Sequence, residues 1–188
     1  MEKTGFRKRG GLVDPITSIE DIERIKKLLK DKPRDLALFT CGVNNGLRIG
    51  DLLALRVGDV RHLKPGQTVT LKEEKTGKRN IFMVNGPVYK ALKAYLAGAG
   101  LRDDEERLFP ITSVRAHQLM KKWTRDAGLR GNYSTHSLRK TWGYMMRTQY
   151  GAGFEVIAKR FNHSSPTTTM RYLGIQDREV SDLLMNEI

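Results

Sequence analysis

An α+β fold, mainly helical with a small antiparallel sheet, is what this sequence predicts. Three observations carry that expectation. Apolar residues recur at three- and four-residue spacing through most of the chain, the period of a helix with one buried face. Two short runs, "TVTLK" and "RNIFMV", are β-prone and flank a Thr-Gly turn. The 188 residues, 39% of them apolar, suit one domain with a real core, and no run approaches the roughly 18 apolar residues of a membrane span.

The elements follow in order. Ser18 opens a helix with the capping-box pattern "SIED", and Ile19, Ile22, Ile25, Leu28 and Leu29 recur at helical spacing. Pro33 suits the first turn of a second helix carrying Leu36, Phe39 and Val43, which Asn44, Asn45 and Gly46 end. "LRIGDLLAL" reads as a short helix with Leu52 and Leu53 inward. The β-prone runs join through "EEKTGK", and Gly86-Pro87 then starts a helix through Leu92, Tyr95 and Leu96. Ser113 is expected to cap a helix running to about Ala127, with Trp123 on its buried side. Thr135 precedes another from His136 to about Arg147, and Phe154 to Phe161 form one more. Ser165-Pro166 is a cap-then-proline start for a short helix that holds Tyr172 near its end. Beyond it, the tail from Asp177 places Val180, Leu183 and Leu184 on one face.

Charge narrows the function. There are 34 Lys and Arg against 21 Asp and Glu, a formal net charge of +13. From Arg115 to Arg147 eight basic residues accompany a single acid, Asp126, whereas "RDDEER" at 102–107 is a locally acidic, solvated loop. Such a field is the footprint of a polyanion binder, with double-stranded DNA the leading partner. The lone cysteine, Cys41, lies in the apolar run "LALFTCGV" and reads as a small core residue unable to make an intrachain disulfide. The basic stretch "MEKTGFRKRGG" is followed by no apolar block, so no secretory signal is expected and the reducing cytoplasm is the expected compartment.

Acting on a phosphodiester without a metal needs a nucleophile, fixed cations for the non-bridging oxygens and an acid for the leaving oxygen. No carboxylate or histidine cluster has a convincing metal-ligand spacing, so neither metal nor cofactor is expected. The metal-free set is present. In "THSLRK", His136 and Arg139 stand three apart on one helical face. Arg48 emerges where a loop becomes a helix, and Asp51 is placed to hold its guanidinium. Lys75 sits at the hairpin tip, and His163 precedes Tyr172 by nine residues across a helix cap. Of the other tyrosines, Tyr89, Tyr95 and Tyr144 have packing contexts, while Tyr133 and Tyr150 lie in loop-like ones.

Taken in order, "GLRIGDLLAL", "EKTGKR", "HSLRKT" and "FNHSSPTTTMRYLG" resemble the catalytic domain of the tyrosine recombinases, the phage integrase family. The resemblance spans about residues 13 to 185. It implies that the small antiparallel sheet has three strands. It also implies that Arg48 and Arg139 are the active-site arginines, Lys75 the hairpin lysine that protonates the leaving 5′-oxygen, and His136 the box-two histidine. His163 falls on the histidine-or-tryptophan position and Tyr172 on the nucleophile. The implied activity is site-specific recombination, cutting and rejoining DNA through a 3′-phosphotyrosyl link without metal or ATP. A type IB topoisomerase and a non-catalytic DNA-binding module descended from a recombinase are the competing readings. A free phenol titrates near pH 10, so forming phenolate at pH 7 costs roughly 4 kcal/mol. His136 and the two arginines are expected to lower that cost.

Departures from the family pattern are Asn44-Asn45 ahead of Gly-Leu-Arg, Lys140 after the box-two arginine, and Phe161-Asn162 in place of Leu-Gly. The catalytic-domain pattern is expected to fill residues 13–188 behind a basic tail of residues 1–12, with the family's usual N-terminal core-binding domain absent. A stand-alone member and a catalytic fragment both fit that reading. Through the segment from Asp177 the resemblance implies self-association on DNA.

Overall fold

The structure is a computed structural model, and it describes residues 13–98, 100, 103–174 and 184–185. Most of the segment from Asp177 and all of the 1–12 tail lie outside these residues, so the expectations placed on them do too.

Ser18 caps the first helix, α1 (Ile19–Leu28), its hydroxyl accepting from the Asp21 amide. Ile22, Ile25 and Leu29 are buried, whereas Ile19 and Leu28 at the two ends face outward. Pro33 opens α2 (Pro33–Asn45) as expected. Residues 37–42 of α2 are all buried, because the helix packs against both α5 (Gly86–Gly98) and α7 (Thr135–Tyr150) and has no free face. Cys41 is fully buried there, which pushes its thiol pKa up and leaves it inert. Between them lie α3 (Ile49–Ala54), an unforeseen one-turn α4 (Val57–Val60), and the hairpin β1 (Thr68–Lys72) and β2 (Arg79–Met83). The remaining helices are α6 (Ser113–Asp126), α8 (Phe154–Phe161) and α9 (Pro166–Leu173). One apolar core joins α2, α5, α6, α7 and α8 through Phe39, Leu92, Met120, Leu138 and Phe161. Among the described residues no helix is long and apolar enough to cross a membrane.

Helix boundaries shift by a residue or a turn where caps decide them. Thr112, not Ser113, caps α6, with its hydroxyl accepting from the Arg115 amide at 3.1 Å. Ser134 caps α7, which runs on to Tyr150 and stops at Gly151 in the left-handed region, φ 64°. The acidic loop is exposed but latched. Glu105 pairs with Arg56 at 2.9 Å and Asp104 with Arg61 at 3.1 Å, while the amides of Val57 and Gly58 donate to the carbonyls of Glu106 and Asp104.

The sheet has two strands among the described residues, not three; the one further bridge there joins Arg56 to Arg107. Side chains take the place of a third strand. Along β2, Asn162 Nδ2 donates to the Arg79 carbonyl, and Asn80 Oδ1 accepts from the Ile81 amide. Arg160 Nη1 donates to the Ile81 carbonyl at 2.8 Å. Asn45 then brackets Met83, accepting its amide at 2.7 Å and donating to its carbonyl at 3.1 Å. These bonds satisfy groups that another strand would otherwise pair. They also weld the hairpin to the ends of α2 and α8.

Gly46 ends α2 in the left-handed conformation, φ 59°, and a Cβ there would meet the Trp142 ring at 2.9 Å. Left-handed strain costs about 1–2 kcal/mol and displacing a packed ring about as much again. Gly46→Ala is therefore expected to lower the unfolding free energy by about 2 kcal/mol or more in denaturant titration. An unchanged midpoint would show that this turn tolerates a side chain.

Candidate active site

The residues singled out in the sequence converge where α2 hands over to α3, the hairpin turns, and α7, α8 and α9 meet. Arg139, one turn into α7, is 3% exposed. Its Nη1 donates to the Gly46 carbonyl at 2.8 Å and its Nη2 to the Phe161 carbonyl at 2.6 Å. Its guanidinium carbon lies 4.1 Å from the Phe161 ring centroid. Burial, with Arg48 as a like charge nearby, lowers its pKa to about 10, so it remains a cation at neutral pH.

Arg48 forms a close ion pair with Glu73, 2.6 Å from Nη1 to Oε2. Asp51, expected to hold this guanidinium, does something else. Its Oδ1 accepts the Glu74 amide at 3.0 Å, and its buried Oδ2 has no hydrogen-bond partner. Helical spacing put Asp51 on the same turn as Arg48, but the chain brings a better-placed carboxylate across from the hairpin. Burial, with Glu73 as a like charge nearby, pushes the Asp51 pKa up, and the Glu74 amide, then Arg48 and Arg139, pull the other way.

Tyr172 stands in the last turn of α9, where Ser165 Oγ caps the helix start and Gly174 ends it. A Cβ on Gly143 of α7 would lie 2.8 Å from Phe161 and 2.9 Å from Leu173, so this glycine lets α8 and α9 seat against α7. The tyrosine ring packs edge-on against Phe161 at 5.6 Å and His163 at 5.3 Å, and Lys140 Nζ lies 5.3 Å from its centroid. The hydroxyl is buried without a well-formed hydrogen bond, although Arg139 is near enough to favour its ionised form. Burial is the larger effect and raises the pKa; Arg139 and Arg48 oppose it. The expected net lowering is therefore not found in this state.

The imidazole against Tyr172 is that of His163, whose Nδ1 lies 2.9 Å from Thr169 Oγ1. Burial, Arg139 and Arg48 depress its pKa to about 4, so its ring is neutral at pH 7. His136 is exposed, and its lowered pKa reflects desolvation first, then Arg139, Arg48, Lys75 and His117. It thus shares the field of the arginines and the hairpin lysine. Lys75 is exposed in the turn between the strands. Among the described residues no three His, Cys, Asp or Glu side chains are grouped to hold a metal ion. Of the remaining tyrosines, Tyr95 and Tyr144 are core residues and Tyr150 is 74% exposed.

The departures at Asn45, Lys140, Phe161 and Asn162 each have a physical role. Asn162 adopts the left-handed φ of 51° that Gly would otherwise supply at the end of α8. Phe161 is the platform shared by Arg139, His163, Tyr172 and Trp142. Asn45 grips β2, and Lys140, 4% exposed, donates to the Val13 carbonyl at 2.9 Å. Glu73 and Arg160 join the site beside the residues expected there. Arg160 had no signal beyond its charge, yet it bonds the Asn45 carbonyl, Asn80 and Ile81.

Comparison with known proteins agrees with this architecture. Residues 17–179 match the phage integrase family. A probable integrase/recombinase, YoeC of Bacillus subtilis, is 35% identical over 172 residues, covering 88% of this chain and 92% of that protein. Tyrosine recombinase XerC of Caldanaerobacter subterraneus is 30% identical, and the match spans 86% of this chain but 48% of the relative. In fold, XerA recombinase superposes with a TM-score of 0.75 at 19% identity, over 98% of this chain and 68% of that one. A lambda integrase dimer bound to a COC′ core site gives 0.64 at 15% identity, over 88% and 49%. The chain belongs to the phage integrase family, with the fold of a tyrosine recombinase catalytic domain.

Proposed function

We propose that this chain cuts and rejoins double-stranded DNA through a covalent 3′-phosphotyrosyl intermediate, with Tyr172 as nucleophile. The observation that carries the proposal is the seating of the Tyr172 hydroxyl, buried within the field of Arg139 and Arg48 and flanked by His163. The net charge of +13 and the DNA-bound state of fold relatives such as the lambda integrase dimer support DNA as the substrate.

In the proposed reaction the Tyr172 oxygen attacks phosphorus while the bond to the 5′-oxygen breaks. Arg48 and Arg139 stabilise the charge that grows on the non-bridging oxygens. Lys75 delivers a proton to the departing 5′-oxygen, which leaves as a hydroxyl. His136, neutral at pH 7 because its pKa is lowered, accepts the phenol proton. His163 is too weak a base for that task and instead orients the ring and the phosphate. Attack by a 5′-hydroxyl reverses each transfer, so bond energy is conserved and no external energy source is needed.

Tyr172→Phe is expected to abolish the covalent adduct on nicked suicide duplexes while leaving DNA affinity unchanged. Because the hydroxyl is buried without a formed hydrogen bond, the variant should unfold at the same temperature as the parent or higher. An adduct formed by the phenylalanine variant would refute the nucleophile assignment.

Arg48→Ala and Arg139→Ala should each slow adduct formation by about 10² to 10³, the usual loss for one transition-state donor. Arg139→Ala strips two carbonyls of their donor and should also cost about 2–3 kcal/mol in denaturant unfolding, and Arg48→Ala, which leaves the buried Glu73 carboxylate without its cation, should cost about 3 kcal/mol or more. Lysine at either place should recover little, lacking the planar fork. Near-normal cleavage by the lysine variants would count against the arginine roles.

Adduct formation should persist in excess EDTA, the cation set taking the part a metal plays elsewhere. A strict requirement for Mg²⁺ in the covalent step would overturn the mechanism.

A further inference from the structure

Glu73 follows the last residue of β1 and is 1% exposed. A buried carboxylate is costly unless its oxygens are satisfied, and both are. Oε2 meets Arg48 Nη1 at 2.6 Å and accepts from Thr76 Oγ1 at 2.5 Å. Oε1 accepts from Asn80 Nδ2 at 2.7 Å. Burial pushes the carboxyl pKa up, but bonds from Thr76, Asn80, Asn162 and Arg48 more than offset it and hold it at about 2. Glu73 is therefore an anion throughout the neutral range.

The backbone of the same residue shapes the turn. Its amide donates to the Lys78 carbonyl at 2.9 Å, and its carbonyl accepts the Gly77 amide at 2.8 Å. Lys75 lies inside the span fixed by the bonds at residues 73, 76, 77 and 78. Arg48 approaches the same carboxylate from the loop ahead of α3. A guanidinium with one nitrogen already held has less freedom to lose when it meets a phosphate.

We propose that Glu73 is a positioning residue, holding Arg48 and the Lys75 turn in fixed relation so that both cations engage one phosphodiester. This inference rests on the DNA-cleaving function proposed above. It assigns Glu73 no contact with substrate; it acts through Arg48 and the turn. A carboxylate that merely stiffened the hairpin would, on removal, weaken binding and cleavage together.

Glu73→Gln keeps the shape and removes the charge. Adduct formation under saturating DNA should slow by about 10²-fold, the scale of a misplaced catalytic group, with DNA affinity unchanged or tighter because an anion is gone. In an Arg48→Ala background the same change should slow the reaction far less than in the parent, since the two act as one unit. Thr76→Val tests the tie without stranding a buried charge, and should slow the covalent step by about tenfold, the loss of one charge-assisted bond, at unchanged affinity. Parental rates in both Glu73→Gln and Thr76→Val, or equal slowing of the Arg48→Ala enzyme by Glu73→Gln, would overturn the inference. A parent enzyme that forms no adduct sinks the proposed function instead. Amide exchange then decides for Glu73: the substitution should speed exchange at residues 74–78, and unaltered exchange there overturns its role.

Discussion

Arg139 lies between two carbonyl groups far apart in the chain, Gly46 at 2.8 Å and Phe161 at 2.6 Å, with the Phe161 ring 4.1 Å from its guanidinium carbon. A cation this deeply buried is tolerable only when its donors are used. Using them has a structural consequence. The turn that delivers Arg48 and the turn that delivers His163 are both tied to the first half of α7. The same residue that the resemblance marks for phosphate contact therefore assembles the pocket it belongs to.

A second web extends this tie to the hairpin. Arg48 pairs with Glu73, Glu73 with Asn80, Asn80 with Arg160, and Arg160 with the Asn45 carbonyl at the end of α2. These polar side chains cover the edge of β2 that β1 leaves unpaired. A third strand would pair the same groups by backbone alone. Side-chain pairing instead registers the hairpin against α2 and α8, and so sets where Lys75 stands relative to the arginines.

Tyr172 shows the balance that such a pocket imposes. Burial disfavours phenolate and the arginines favour it, and burial is the larger effect. The residue is thus a neutral phenol at pH 7, packed edge-on against His163 and Phe161. In the proposed attack, proton removal accompanies bond formation to phosphorus rather than preceding it. A preformed phenolate would be a reactive anion in a cationic pocket; a phenol is not.

Helical periodicity, the hairpin and the order of Arg48, Lys75, His136, Arg139, His163 and Tyr172 are legible along the chain, because they are written in short-range spacing. Caps, prolines and turn glycines are local signals, so α2, α8 and α9 begin and end close to where they were expected. The partners of those residues follow from packing instead. Helical spacing favoured Asp51 for Arg48, yet Glu73, 25 residues away, takes it, since a buried charge is satisfied by whichever group the packing brings within reach. Among the described residues the sheet ends at two strands for a related reason: β-propensity reads a strand's own residues, whereas its edge is closed by Asn45, Arg160 and Asn162 from distant helix ends. The sign of the Tyr172 shift likewise needed the fold, because burial is a property of the surroundings that no neighbouring residue in the chain reports.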